Sequence, residues 1–416
     1  MATTILRPQS ESRRPAMTAL LGPGFVAAIA YVDPGNVATN LTAGATTGYL
    51  LVWVVVAASL IAILVQFQAA KLGVATGRSL PQLSRERLPK RLNKLLWVQA
   101  ELVILATDLA EFVGAAIGMW LLFGMPMPLA AGCTAIAAML MLELRRRGRS
   151  RPFELMSAAA LLLIGAGVAY NLVTTGHQSP TEALGGFVPR FEGSASVLLA
   201  MGIVGATVMP HAIYLHSAIA RREGAVPDSA WRSPTLVRRA LRLDCGIALG
   251  AATMVNVSMI ALGVGLAGAS AGTWTGDLLE AHAELGTRIG GFAALMFAIT
   301  LLASGLSSSG VGTLAGDVVM SGFLSRQIPV RLRRLITMAP AIVALMIGVP
   351  LTMLLVLSQV LICLGVPIAL FLLVYFCRDR RLMGPLVNSR ATTVVATVAG
   401  GAVAAVGCAL PLLLLL

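Results

Sequence analysis

A single carboxylate beside two helix-breaking residues is the strongest chemical signal in this sequence. Between residues 15 and 70 the only formal charge is Asp33, and Pro34, Gly35 and Asn36 follow it directly. Proline removes a backbone donor and glycine permits non-helical conformations, so this stretch predicts two half-helices with an unwound joint. In hydrocarbon, a carboxylate and freed backbone groups need partners. We therefore expect Asp33 to bind a cation.

A second apolar segment, residues 193–220, carries no Asp, Glu, Lys or Arg and contains a comparable interruption. Gly205, Pro210 and His211 mark a break near its middle. Interrupted helices at corresponding positions of two inverted halves indicate the midplane site of a transporter. The symmetry rests on topology and on the paired breaks, because the two halves show no strong residue-level repeat.

The two breaks together offer a mixed set of metal ligands. The candidates are Asp33, Asn36, Met209 and the backbone carbonyls of Ala30 and Ala206. Hard Mg²⁺ and Ca²⁺ gain little from a thioether, whereas transition metals gain more. One thioether among oxygens therefore favours Mn²⁺ and Fe²⁺, with Cd²⁺ as a further substrate. Methionine is also a common gap filler, so Met209 gains this role only from its place at the second break.

Three carboxylates lie in the third apolar segment. Glu101, Asp108 and Glu111 occupy positions i, i+7 and i+10, within an arc of about 80° on one helical face. Such groups are too costly to leave facing lipid. We predict that Asp108 and Glu111 relay protons, with Arg333 and Arg334 as partners from the cytoplasmic side. The alternative is a buried carboxylate–arginine network that only fixes packing, and we prefer that interpretation for Glu101.

Two histidines follow the second break. His211 and His216 are five residues apart, which is about 140° around a helix, so they do not form a shared metal-binding face. His211 adjoins the break and is predicted to tune or pass a proton, because imidazole exchanges protons near neutral pH. For His216, lining of the pathway and simple packing are equally consistent with the sequence.

The segments that must position these residues are apolar helices. The chain has 416 residues, of which 57% are hydrophobic and 12% charged, about half the charged fraction of a soluble domain. Apolar runs long enough to cross a bilayer recur along it. We predict an all-α polytopic membrane protein with eleven transmembrane helices. Their predicted ranges are 17–46, 49–75, 95–123, 127–144, 153–175, 194–220, 244–268, 287–313, 333–348, 351–376 and 392–415.

The distribution of basic residues orients these spans. All but two of the 31 lysines and arginines fall in the N-terminal arm or the even-numbered connections; Arg190 and Arg288 are the exceptions. The positive-inside rule makes that side cytoplasmic, which places the N-terminus inside and the C-terminus outside. This distribution also explains the net charge of +13 without nucleic acid. We expect the arginine-rich loops to contact anionic membrane lipids.

Three segments carry a resemblance to a known family. "DPGN" in the first span, "MPH" in the sixth and "ASGLSSSGVGTLAGDVVMSGF" in the eighth resemble the natural resistance-associated macrophage protein (Nramp) family of proton-coupled divalent metal transporters. The resemblance implies a LeuT-like fold of two inverted five-helix repeats with broken helices 1 and 6. The repeats would be residues 17–175 and 194–376, preceded by a cytoplasmic arm (1–16) and followed by an eleventh helix (392–415).

The resemblance also implies a ligand set. Asp33, Asn36 and Met209 would bind metal together with the carbonyls of Ala30 and Ala206, and Gln359 matches a position that joins the metal shell in some family conformations. Relatives that carry magnesium or aluminium lack the methionine, so its presence favours the bacterial manganese/iron branch. Asp317 stands where some members have an amide, and we assign it no role.

These observations predict a symporter of the cytoplasmic membrane that imports Mn²⁺ or Fe²⁺ together with H⁺ by alternating access. Asp33 would bind the metal and pass its proton toward Asp108 and Glu111, while the half-helix of residues 18–31 swings. The alternative is a symporter of the same fold for an amino acid or an organic cation. No enzymatic activity, bound cofactor or obligate protein partner is expected, since the sequence offers no nucleophile–base pair, His-rich centre or nucleotide-binding motif.

Overall fold

The computed structural model describes most of the chain, and the described part is helical throughout, with no β-strand in it. The described residues are 22–146, 150–176, 179–220, 233–270, 274, 276–325 and 328–415. The predicted N-terminal arm, residues 1–16, lies outside them.

Seventeen α-helices occur in the described residues. In the first half they are α1 (Pro23–Ala30), α2 (Pro34–Thr47), α3 (Val52–Thr76), α4 (Leu80–Arg87), α5 (Lys90–Phe123), α6 (Met127–Arg146), α7 (Ser150–Thr175) and α8 (Pro180–Gly185). The second half comprises α9 (Gly193–Thr207), α10 (Pro210–Ile219), α11 (Pro234–Ala269), α12 (Leu278–Glu284), α13 (Gly291–Leu324), α14 (Val330–Met346), α15 (Leu351–Cys377), α16 (Arg380–Met383) and α17 (Arg390–Leu415). A π-helical turn (Leu285–Ile289) and a 3₁₀ turn (Gly384–Leu386) complete the described elements.

Eight stretches of the described chain are long and apolar enough to cross a membrane. They lie in α3, α5, α7, α11, α13, α15 and α17, with α9 and α10 together forming the eighth. The other three predicted spans also correspond to helices but are shorter. The first is divided into helices of 8 and 14 residues, α6 contains the apolar stretch Met127–Leu140, and α14 has 17 residues. The protein is therefore a multi-pass membrane protein.

The helix ends differ from the predicted span ends where charged residues begin. α11 starts at Pro234, ten residues before the predicted start at 244, and α13 continues to Leu324, eleven residues beyond 313. Hydropathy locates only the part of a helix that lies in hydrocarbon. Backbone hydrogen bonding continues the same helices past that boundary, because alanine, leucine and arginine, which are good helix formers, recur there.

Both broken spans restart with a proline in the first helical turn. At the first break, Asp33 is the N-cap of α2, its side chain accepts the Asn36 N–H at 2.7 Å, and Pro34 occupies the first helical turn. At the second break, Met209 is the N-cap of α10 and Pro210 follows it. An Asp cap and a first-turn proline normally begin a helix at the protein surface. Here they begin one in the middle of an apolar segment.

The α2 and α11 helices approach each other backbone to backbone. A Cβ on Gly44 would overlap the carbonyl oxygen of Ile260, and a Cβ on Gly263 would overlap that of Leu41. Small residues of this kind allow close packing of membrane helices. Beside the contact, the Asn40 side chain donates to the Asn256 Oδ1 at 2.9 Å. This pair fixes α2 against α11 two helical turns after the first break.

Candidate functional site

Each break leaves one carbonyl outside the helical hydrogen-bond ladder. Pro34 follows Ala30 by four residues, and Pro210 follows Ala206 by four residues. Because proline has no N–H, neither carbonyl can accept the usual bond from the residue four positions later. Ala206 accepts the Asn36 side-chain amide instead, at 2.9 Å. Among the described residues, none donates a hydrogen bond to the Ala30 carbonyl.

Side chains from neighbouring helices hold the rest of the first joint open. The Asn256 amide of α11 donates to the Tyr31 carbonyl at 2.8 Å, and the Ser304 hydroxyl of α13 donates to the Val32 carbonyl at 2.6 Å. A buried carbonyl without a partner would cost about 1–3 kcal/mol. These two contacts therefore stabilise the unwound conformation and leave the Ala30 carbonyl as the acceptor that remains available.

Asp33 is fully buried at this joint without a cationic partner among the described residues. Its Oδ1 accepts both the backbone N–H and the side-chain amide of Asn36, at 2.7 and 2.9 Å. The Asp33 Oδ2 and the Asn36 Oδ1 are buried and have no hydrogen-bond partner in the described part of the chain. An uncompensated carboxylate is costly in such a place. The arrangement is one that a bound cation would stabilise.

Gln359 of α15 contacts both breaks. A Cβ on Gly35 would overlap its side-chain amide, and a Cβ on Gly205 would overlap its backbone carbonyl oxygen. Its Oε1 is buried and has no hydrogen-bond partner among the described residues. Met209 is also fully buried, three residues after Ala206. Glycine at both positions therefore lets a third helix reach the joint between the two broken spans.

The predicted relay acids converge on one glycine. A Cβ on Gly312 of α13 would lie 2.6 Å from the Glu111 Oε2 and 2.9 Å from the Asp108 Oδ1. The charge of Glu111 interacts with those of Asp33 and Asp108, and Arg334 interacts with both α5 acids. The two α5 acids therefore lie between Asp33 at the first break and Arg334 of α14.

The two arginines of α14 have different partners. Arg333 forms a two-point ion pair with Glu101, at 3.2 and 2.6 Å, and Trp97 donates to the same carboxylate at 3.2 Å. Arg334 donates to Ser309 and Thr313 of α13. Glu101 is thus held in a planar pair of the strong, geometrically specific kind. Arg334 instead stands beside the acids that point at Gly312.

The two histidines lie in separate hydrogen-bond networks. The His211 Nδ1 is 3.3 Å from the Thr107 hydroxyl, which lies next to Asp108 in α5. The His216 Nδ1 is 2.9 Å from Gln66 of α3, and Gln66 donates in turn to the Tyr31 hydroxyl at 2.5 Å. His211 therefore faces the acid-bearing helix, whereas His216 is linked through Gln66 to the first break.

Several residues of the site were not identified from the sequence. They are Tyr31, Asn40, Gln66, Asn256 and Ser304, each of which supports a break or an adjoining helix. A polar residue inside an apolar span was the available signal, since such residues need a partner in hydrocarbon. Asn40 in α2 and Asn256 in α11 are two such polar residues, each inside an apolar span.

Clusters of the usual metal-binding side chains are absent from the described residues: no group of three or more His, Cys, Asp or Glu is placed to hold a metal ion. A divalent ion at the two breaks would therefore meet one carboxylate, an amide, carbonyl oxygens and a thioether. Such a mixed set suits ions of intermediate softness better than Mg²⁺ or Ca²⁺.

Comparison with known proteins gives a consistent result. Residues 24–413 match the family model described as natural resistance-associated macrophage protein-like. The divalent metal cation transporter MntH of Deinococcus radiodurans is 47% identical over 376 residues, which are 90% of this chain and 85% of that protein.

Solved structures agree with the helix arrangement. A variant of the manganese transporter of Eremococcus coleocola superposes with a TM-score of 0.83 at 29% identity, covering 97% of this chain and 88% of that one. A nucleobase-cation-symport-1 family transporter superposes with a TM-score of 0.61 at 17% identity, covering 94% and 92%, and shares the fold alone. The fold is thus the LeuT-like inverted repeat with its first and sixth spans broken.

Proposed function

This chain belongs to the natural resistance-associated macrophage protein-like family, and from that premise we propose that it imports divalent transition-metal ions across the cytoplasmic membrane. Mn²⁺ is the principal substrate, and Fe²⁺ and Cd²⁺ are also carried. The observation that carries the proposal is the buried, unpaired Oδ2 of Asp33 between two broken helices. The Eremococcus coleocola protein that superposes on this chain is named as a manganese transporter.

The metal takes the place of the Asn36 amide. The two N–H groups of that amide bind Asp33 and the Ala206 carbonyl. A dication at the same position binds the Asp33 Oδ1 and the Ala206 carbonyl oxygen in place of the amide. The Asn36 side chain then turns its Oδ1 toward the ion. The Ala30 carbonyl, Met209 and Gln359 complete the shell. The thioether of Met209 favours transition metals over Ca²⁺ and Mg²⁺.

Proton transfer accompanies the metal. A dication beside Asp33 drives off any proton that this carboxylate holds, because like charges repel strongly in a site of low dielectric. The proton passes to Glu111, whose charge interacts with that of Asp33, and then to Asp108. Arg334 stabilises the ionised acids. Three further residues border this proton pathway. His211 contacts it through Thr107 and His216 through Gln66. Arg333 contacts it through Glu101.

Alternating access follows from the division of the first span. With the N-terminus in the cytoplasm, α1 is the inner half of that span and α2 the outer half. Movement of α1 away from α11 opens the path inward. The membrane potential contributes about 2.3 kcal/mol per charge per 100 mV to inward movement of cations. Membrane lipids surround the protein, and no bound cofactor is required.

Uptake by proteoliposomes tests this function. The purified protein should take up ⁵⁴Mn²⁺ in a saturable manner that an inward proton gradient accelerates, and an excess of amino acids should not compete. Asp33→Ala should abolish uptake. The matched control is Asp317→Ala, which removes a carboxylate of α13 that makes no side-chain hydrogen bond among the described residues. Near-normal uptake by Asp33→Ala would remove the site assignment, and competition by an amino acid would favour the alternative symporter.

A further inference from the structure

A cavity of about 370 Å³ lies at the cytoplasmic ends of α3, α11 and α17, remote from the two breaks. Of the described residues that line it, five are cationic and none is acidic. The cations are Lys71, Arg238, Arg242, Arg380 and Arg390. A solvent-facing loop of mixed charge would not concentrate one sign in this way. The enclosure of five like charges around one space indicates a binding site for an anion.

Among the residues that the structure describes, no acidic group forms an ion pair with these cations. The ion pairs between described residues join Arg78, Arg190, Arg288 and Arg333 to glutamates and include none of the five. Within the cavity, the charge of Lys71 interacts unfavourably with those of Arg238 and Arg242. Like charges held together raise the free energy of the folded state unless a counter-charge is supplied.

The site is built rather than accidental. Lys71 is 3% exposed and donates to the Asn388 Oδ1. Asn388 is itself fixed by its side-chain bond to Gln68 at 2.7 Å and by its backbone bond to the Cys377 carbonyl at 3.0 Å. The Phe67 ring has Lys71 Nζ and Arg242 Cζ each 5.4 Å from its centroid. Cation–π contact with this one ring holds both cations in place.

A helix N-terminus completes the cavity. α17 begins at Arg390, and the preceding Ser389 and Thr392 of the first turn line the same space. The Ser389 hydroxyl accepts the Thr392 N–H at 3.1 Å, so the N–H groups before Thr392 are the ones that face a ligand. The first backbone N–H groups of a helix carry partial positive charge and bind phosphate oxygens. Arginine forks suit phosphate for the same geometric reason that they suit carboxylates. We propose that this cavity binds a phosphate group, supplied by the headgroup of an anionic phospholipid.

The surroundings favour a lipid over a free anion. Beyond Thr392, Val394, Val395 and Val398 of α17 are 60%, 57% and 65% exposed. In a membrane this surface lies against hydrocarbon, so a phospholipid whose headgroup enters the cavity can keep its acyl chains beside α17. The proposal does not depend on which ion the protein carries, because no residue of the cavity belongs to the candidate metal site.

Binding to the full-length protein in detergent tests the proposal. Phosphatidylglycerol, phosphatidylcholine and inorganic phosphate are titrated separately, with native mass spectrometry and thermal unfolding as readouts. Phosphatidylglycerol should bind in a discrete stoichiometry and raise the unfolding temperature, and phosphatidylcholine should do neither. The paired substitution R238Q and R242Q should weaken phosphatidylglycerol binding by about tenfold or more. The control K90Q with R91Q removes the same charge from exposed cytoplasmic cations and should leave binding unchanged.

Each result has a definite meaning. If inorganic phosphate binds in the cavity and the lipid does not displace it, a soluble phosphate is the ligand and the lipid source is wrong. If both paired substitutions weaken lipid binding equally, the attraction is a general surface effect and the site does not exist. If neither phosphatidylglycerol nor inorganic phosphate binds, the proposal is also overturned. Should R238Q with R242Q not fold, R390Q at the exposed start of α17 gives the same comparison against R91Q.

Discussion

The side-chain nitrogen of Asn36 in α2 lies 2.9 Å from the carbonyl oxygen of Ala206 in α9. The same nitrogen lies 2.9 Å from the Asp33 Oδ1, so one amide group joins the two broken spans. The two oxygens that it bridges are those we propose as metal ligands. The partial positive charge of the amide lies between the two oxygens that a transported dication would contact.

Asn36→Ala should therefore weaken Mn²⁺ binding by about ten- to hundredfold, since a lost ligand to a charged group corresponds to ~1.5–3 kcal/mol. Isothermal titration of the purified protein with Mn²⁺ measures the affinity. Asn93→Ala is the control, because it removes a buried amide of α5 that bonds the Phe323 carbonyl away from the breaks, and it should lower the unfolding temperature alone. An unchanged Mn²⁺ affinity in Asn36→Ala would exclude it as a ligand.

Pro34→Ala tests the origin of the free Ala30 carbonyl. Alanine keeps the Cβ that packs against Gly114 and adds an N–H that can donate to Ala30. The hydrogen bond would extend α1 and occupy an acceptor needed by the metal. We expect the KM for ⁵⁴Mn²⁺ uptake to rise about tenfold, consistent with loss of roughly 1.4 kcal/mol. Pro81→Ala in α4 should leave KM unaltered; an equal effect of both would point to general loss of folding.

Met209→Ala should change selectivity more than activity. Without its thioether the site retains only oxygen ligands, which Ca²⁺ and Mg²⁺ accept readily. Mn²⁺ uptake should continue at a reduced rate, while Ca²⁺ or Mg²⁺ begins to compete with it and Cd²⁺ competes less well. Met201→Ala, at another fully buried methionine in α9, is the matched control. If Cd²⁺ and Ca²⁺ are distinguished as well as before, Met209 does not determine the choice of metal.

Asp108→Asn should separate proton movement from metal binding. The amide preserves the shape of the side chain beside Gly312 but cannot carry a proton between Glu111 and the cytoplasm. Mn²⁺-stimulated acidification of liposomes, measured with an enclosed pH dye, should fall several-fold further than Mn²⁺ affinity. Asp317→Asn serves as the control. Parallel losses of acidification and affinity would indicate that Asp108 only stabilises packing.

Asp244→Asn addresses the attachment of α1. The Asp244 carboxylate accepts the backbone N–H groups of Gly22 and Gly24, at 2.9 and 2.7 Å, and so caps the N-terminus of that half-helix. Loss of such a cap costs about 1–2 kcal/mol. Amide hydrogen exchange of residues 23–30 should become about 5–30-fold faster, while exchange in α2 is unchanged. Equal protection in both proteins would show that other contacts hold α1.

The two breaks were predictable because their signals are local. Asp33 occupies a cap position, and Pro34 and Pro210 occupy first-turn positions, that their own chemistry favours. The helix ends were predicted less well, because hydropathy does not distinguish a helix that leaves the membrane from one that stops. The extension of α13 to Leu324 is the clearest example.

The supporting contacts of the site depend on tertiary placement and could not be derived from the sequence. Nothing local to Gln66 indicates that it bridges His216 and Tyr31. Likewise, Gly35 and Gly205 are recognisable as helix breakers, but their contact with Gln359 requires three helices to be positioned together. Sequence patterns therefore identify the candidate ligands better than the residues that orient them.

The close contact of Gly44 with Gly263 has a mechanical consequence. Two backbones that touch without intervening side chains cannot slide past one another, and the bond from Asn40 to Asn256 resists their rotation. α2 and α11 must consequently travel as one rigid body. Any hinge in the first span is thereby confined to the few residues preceding Pro34. A larger side chain at Gly44 would overlap the Ile260 carbonyl oxygen and separate α2 from α11.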